Sequence, residues 1–157
     1  MATDIGALTG KISKVVQAWG EVTVEEADSL LLEHEQSEFA VGIMVGHRNE
    51  HYDLVEVLFA VSELFEVLDN EKELARVSAI LNDFNAHASK GKAYINDESV
   101  VVVESVYVSR GEEILGEGYL VSGVFDVAEL ASDVQFRLNH GKPEGEYSKP
   151  LLNARKN

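Results

Sequence analysis

The apolar positions along the chain fall into blocks of two different periods. Ile5, Leu8, Ile12, Val15 and Trp19 recur at spacings of three, four, three and four, which places them on one stripe of a helix. Thr3 or Asp4 suits its N-cap and Gly20 its stop. Gly6 and Gly10 each weaken the first turns by about 1 kcal/mol against alanine, so the helix is expected to begin near Thr9. Over residues 29–64 the period becomes two. Leu30, Leu31 and Leu32 form a short apolar run, and Phe39, Val41, Ile43 and Val45 then alternate with Ala40, Gly42, Met44 and Gly46. Val55, Val57, Phe59 and Val61 alternate in turn with Leu54, Glu56, Leu58 and Ala60. This predicts three consecutive antiparallel strands, with a break near Gln36 and Ser37 and a hairpin turn over 47–51 in which Asn49 takes the positive φ.

Asp69 or Asn70 can cap the next helix, and Glu71 and Glu73 suit its positive end. Its stripe is Leu74, Val77, Leu81, Phe84 and Ala88, with Gly91 as the stop. Ala93, Tyr94 and Ile95 read as a strand, Asn96, Asp97 and Glu98 as a turn, and the β-branched run 100–108 as a further strand. The last helix covers about 118–139 through Leu120, Val124, Val127, Ala131, Val134 and Leu138. Residues 141–157 are polar, hold both prolines and lack periodicity, and are expected to form a flexible tail behind a single domain, 1–140. The expected class is α+β: helix, three antiparallel strands, helix, two or three strands, helix, around one sheet.

An antiparallel sheet covered by helices on one face should alternate apolar inward with polar outward. Here the second face is apolar as well, since Met44, Leu54 and Leu58 lie opposite the main stripes and the strand over 100–108 carries apolar groups on both sides. Either the three helices divide between the two faces, or one face is kept for another chain. Met44, Leu54, Leu58 and Tyr107 are the candidate contacts for that second case, the thioether of Met44 being well suited to adaptable packing.

Charge and chemistry narrow the functions. The 157 residues carry 28 acidic and 13 basic side chains, a formal net charge of −15, so phosphate-rich nucleic acid and anionic lipid are expected to be repelled. Hydrophobic residues make up 45%, enough for a packed core without staples. The chain has no cysteine, which removes thiol catalysis and thiolate metal sites. Residues 1–6 lack a basic region followed by an apolar stretch, and no apolar run approaches the ~20 residues that span a bilayer. The expected place is therefore the cytoplasm. The motif around Gly116 and Gly118 has Val121 where a dinucleotide loop needs its third glycine, and no phosphate-binding, zinc-hydrolase, nucleophile-elbow or EF-hand motif occurs. His47 and His51 stand four apart in the expected turn, and His34 lies between Glu33 and Glu35 at an expected solvated strand end. Neither pattern marks a metal centre, and no catalytic residue or cofactor is assigned.

The segment Leu81-Asn82-Asp83-Phe84-Asn85 closing the middle helix, followed by Gly91-Lys92-Ala93-Tyr94-Ile95, the acidic turn and the valine strand, resembles the YbjN family. The order of elements resembles the fold that this family shares with type III secretion chaperones. The resemblance implies a non-enzymatic, homodimeric protein whose sheet and first helix hold an extended segment of another chain, and it transfers no catalytic residues. The function expected is thus a polypeptide-binding, chaperone-like or regulatory module, with strand addition at an open sheet edge as a further means of contact. Two alternatives remain: an acidic, immunity-type inhibitor of a basic protein, and a small metal-dependent enzyme built on the histidines and acids.

Overall fold

The structure is a computed structural model and describes residues 2–116 and 118–141. Helix α1 (Ile5–Val16) is capped by Asp4, whose Oδ1 accepts the Ala7 N–H at 3.1 Å. It leads through a short 3-10 turn (Gln17–Trp19) into four strands, β1 (Gly20–Glu26), β2 (Ser29–His34), β3 (Ala40–Asn49) and β4 (Leu54–Glu66). Helix α2 (Glu71–His87) follows, capped by Asn70, whose Oδ1 accepts the Glu73 N–H at 2.7 Å. Strands β5 (Lys92–Ile95) and β6 (Val100–Arg110), a 3-10 turn (Gly111–Leu115) and helix α3 (Tyr119–His140) are the remaining elements of the described residues. The fold is α+β, and the described residues form one six-stranded antiparallel sheet in the order β1-β2-β3-β4-β6-β5 and three α-helices. No helix among the described residues is long and apolar enough to cross a membrane.

Three expectations change. Four strands precede α2 rather than three: β1 occupies the stretch beyond Gly20, where Val22 and Val24 alternate with Glu21, Thr23 and Glu25. Gly20 does end the helical segment, and a side chain there would run into the Glu33 carbonyl of β2. Helix α1 starts at Ile5, because the Asp4 cap offsets the two exposed glycines. The β3–β4 turn is displaced toward residues 50–53, and the positive φ belongs to Asp53 (49°) rather than Asn49, whose Oδ1 instead accepts the Tyr52 N–H. The expected tail lies, from residue 142 onward, outside the described residues.

The register assigns each strand residue to a face. Leu30, Leu32, Val41, Ile43, Val45, Val55, Val57, Phe59, Val61, Ala93, Val101 and Val103 share one face and are all buried. They form a single core with Leu8, Ile12 and Val16 of α1, Val77, Ile80 and Phe84 of α2, and Val124, Val127, Val134 and Leu138 of α3. All three helices therefore cover the same side of the sheet. The closest approach is between α3 and β4: a Cβ on Gly123 would lie 2.3 Å from Cε2 of Phe59, a ring with no exposed surface. Gly123→Ala is expected to destabilise the fold by about 1–3 kcal/mol through overpacking, despite the ~1 kcal/mol that alanine contributes in a helix interior. At Gly10 nothing lies within 4 Å of an added Cβ, so Gly10→Ala is expected to raise stability by up to about 1 kcal/mol. Urea unfolding of the two variants checks this, and a similar gain in both would show that Phe59 does not set the α3–β4 distance.

Candidate functional site

With every helix of the described residues on one side, no described segment covers the other face of the sheet. The register lines up Ser29, Met44, Leu58 and Val106 in one row across β2, β3, β4 and β6. Neighbours in such a row stand ~5 Å apart, so the apolar side chains form a continuous ridge. Met44 is 54% exposed, Val106 42% and Val108 42%, with Leu58 and Leu31 half-buried beside them. The next row, Leu31, Gly42, Ala60, Glu104 and Lys92, is low in its middle because it is built there from glycine and alanine. On the other side of the ridge Gly46 pairs with Glu56, and a Cβ added at Gly46 would meet nothing within 4 Å. Small residues thus flank the ridge on both sides along β3, leaving room for side chains from outside. At the far end Val102 packs on this face beside its partner Tyr94, buried without joining the helix-side core.

Charged groups rim the patch in pairs. Arg48 Nη1 lies 3.4 Å from Glu56 Oε1, Lys92 Nζ lies 3.2 Å from Glu104 Oε1, and the Tyr94 hydroxyl donates to Glu104 Oε2 at 3.1 Å. Burial, and then the hydrogen bond to the Glu104 carboxylate, raise the pKa of Tyr94 above that of a free phenol.

Of the four candidate contacts, Met44, Leu54 and Leu58 share the open face, Leu54 at its margin opposite Arg110. Tyr107 does not. It pairs with Val57 on the helix side, its ring meets Phe59 edge-on at 5.6 Å, and its hydroxyl donates to Asp126 Oδ2 of α3 at 3.1 Å. A strand apolar on both sides gives no period-two signal, so the face of Tyr107 was not fixed by pattern, and one residue of register reverses it. Val106 and Val108 occupy the open positions instead.

The histidines are not brought together. His47 lies on β3 opposite Val55, and His51 sits in the β3–β4 turn against Tyr52. Among the described residues no group of three or more histidines and acids could hold a metal ion. His34 departs most from its expected solvated strand end, being only 2% exposed. Its Nδ1 shares a 2.6 Å hydrogen bond with Ser37 Oγ, Phe125 of α3 meets its ring edge-on at 4.6 Å, and its buried Nε2 has no partner among the described residues. A groove of about 790 Å³ runs between the α2–β5 connection, with the start of β5, and the start of α3. It is lined by Lys90, Lys92, Ser105, Tyr107, Ser122 and Asp126, and its lysines face the carboxylates of Asp126 and Glu104.

Burial disfavours the charged imidazole of His34 and lowers its pKa from 6.5. The unfolded chain then binds this proton at higher pH than the folded chain does. The stability supplied by the neutral ring is complete above 6.5 and is lost as pH falls from there toward the depressed folded value. Replacing His34→Gln is expected to flatten the stability–pH curve across that interval, as followed by denaturant unfolding at successive pH values. Parallel curves for the two proteins would refute it.

Comparisons with protein-family models, with curated proteins and with solved structures gave no match.

Proposed function

We propose that the chain is a non-enzymatic polypeptide-binding module, chaperone-like or regulatory in the manner implied by its resemblance to the YbjN family. The observation that carries this reading is the row Met44–Leu58–Val106, uncovered among the described residues, an apolar ridge at the centre of a sheet whose described helices all lie on the opposite side. Isolated exposed apolar residues are ordinary on protein surfaces, whereas a contiguous patch with a paired polar rim is the usual anatomy of an interface. The troughs at Gly42, Ala60 and Gly46 suit an extended segment with alternating apolar side chains, each entering beside the ridge. A second copy of the chain is a further candidate for the same face.

Burying one aliphatic side chain contributes ~1.5–3 kcal/mol. Replacing Met44→Asp and Leu58→Asp together is therefore expected to weaken capture of an unfolded client at least about tenfold. The readout is suppression of aggregation of a chemically denatured model protein, with light scattering reporting the oligomeric state in parallel. Met44 is largely exposed, so the fold should survive, as circular dichroism checks. Unchanged client suppression and unchanged oligomeric state in the folded double variant would defeat the reading.

A further inference from the structure

The two ends of the sheet are finished differently. At the β5 end, the Asn85 side chain of α2 takes the place of a neighbouring strand. Its Nδ2 donates to the Ala93 carbonyl and its Oδ1 accepts the Ala93 N–H, both at 2.8 Å. That satisfies the outward backbone groups of the middle of a four-residue strand and closes this edge to another chain. Beyond β5, where its pairing stops at Glu104, Ser105, Val106 and Tyr107 of β6 line the groove with Lys90 and Lys92, and the Ser105 hydroxyl donates to the Lys90 carbonyl at 2.6 Å.

The β1 end has no such closure among the described residues. β1 is seven residues long, pairs only with β2, and exposes Val24 by 59%. It also lies where the charge of the molecule is least balanced. Between Lys14 and Arg48 the sequence holds Glu21, Glu25, Glu26, Asp28, Glu33, Glu35 and Glu38 and no lysine or arginine. All seven are exposed, and none makes an ion pair or a side-chain hydrogen bond among the described residues. Six basic residues elsewhere are matched: Lys11 with Glu112, Arg48 with Glu56, Arg76 with Glu73, Lys90 with Asp126, Lys92 with Glu104, and Arg137 with Asp83 and Asp133. Glu21 stands directly across from Glu33 in the β1–β2 register. Like charges in that position repel, so the strand pair carries a local conflict that a cation above it would relieve. Glu21, Glu33, Glu35 and Glu38 also surround Phe39 in a depression of about 380 Å³ at this corner.

We infer that the β1 edge takes a basic, extended polypeptide segment, which pairs with the β1 backbone while its lysines or arginines meet Glu21, Glu25, Glu26 and Glu33 and its alternate apolar residues meet the exposed Val24 on the helix side. This rests on the polypeptide-binding reading and adds to it the edge that is used and the chemistry of the partner. A second copy of the same chain is disfavoured at this edge, because it would bring two unneutralised acidic strands together.

The test uses the full-length protein and three synthetic peptides of alternating residues, Lys/Val, Glu/Val and Ser/Val, with binding followed by fluorescence anisotropy and backbone protection by hydrogen exchange. The Lys/Val peptide is expected to bind, to lose affinity steeply as ionic strength rises, and to protect amides of β1. Replacing Glu21, Glu25, Glu26 and Glu33 by Gln is expected to weaken it about tenfold and to leave the fold unchanged, since all four side chains are exposed. Protection confined to β6, affinity indifferent to the four replacements, or tighter binding of the Glu/Val or Ser/Val peptide would overturn the basic-edge inference while leaving the polypeptide-binding reading in place. Binding of none of the three would count against both.

Discussion

The structure depends on one close approach, the seating of the Phe59 ring against Gly123. Phe59 stands near the middle of the sheet, on β4 between β3 and β6, and only a glycine lets α3 come down onto it. With α3 held there, Val124 and Val127 pack into the same layer as the inward valines of β4 and β6, and α1 and α2 flank it on that layer. A helix layer drawn this tightly to one side leaves none of the described helices to shelter the other. The open face with Met44, Leu58 and Val106 is thus a consequence of where the glycine lies, as much as of the apolar residues themselves.

A single-layer cover also explains the treatment of buried polar groups. Tyr107, on the covered side, reaches Asp126 of α3, and Ser105 reaches the Lys90 carbonyl. Arg137 is almost wholly buried in α3, yet its guanidinium meets Asp83 of α2 and Asp133 of its own helix. These contacts join helix to helix and helix to sheet, which buried polar groups must do to offset their desolvation. On the open side, the paired groups lie around the margin and the centre is left to carbon.

Much of the fold was legible in the chain. The periods of two and 3.6 marked α1, α2, α3 and strands β2 to β6, because each packs a face on the core and packing is what periodicity records. β1 escaped as an edge strand with one neighbour, whose alternation rests on Val22 and Val24 alone among glutamates. The apolar second face was legible from Met44, Leu54 and Leu58, but the side on which the helices lay was not, since three amphipathic stripes fit a divided or an undivided cover equally well. The face of Tyr107 was hidden for a related reason, β6 being apolar on both sides. The burial of His34 depends on Phe125, some ninety positions away in the chain, and nothing in Glu33-His34-Glu35 signals it. Asn85 belonged to the segment that carried the family resemblance, yet its role as a stand-in strand requires the return of β5 alongside α2.

The edges and the open face bear on each other. A sheet with an exposed apolar face and an unprotected edge is the combination most prone to self-association, and proteins usually break it with charge. Here the charge is of one sign, gathered on β1 and β2, while the opposite end is closed by a hydrogen-bonded side chain. Protection by Asn85 is indifferent to what approaches, whereas protection by seven carboxylates, unpaired among the described residues, depends on the charge of the newcomer. An acidic or identical strand is turned away, and a basic one is drawn in and oriented. The device that keeps the bare sheet from associating with its own kind is therefore also one that selects a partner, with Val24 supplying apolar contact on the other side of the edge once the strand is aligned.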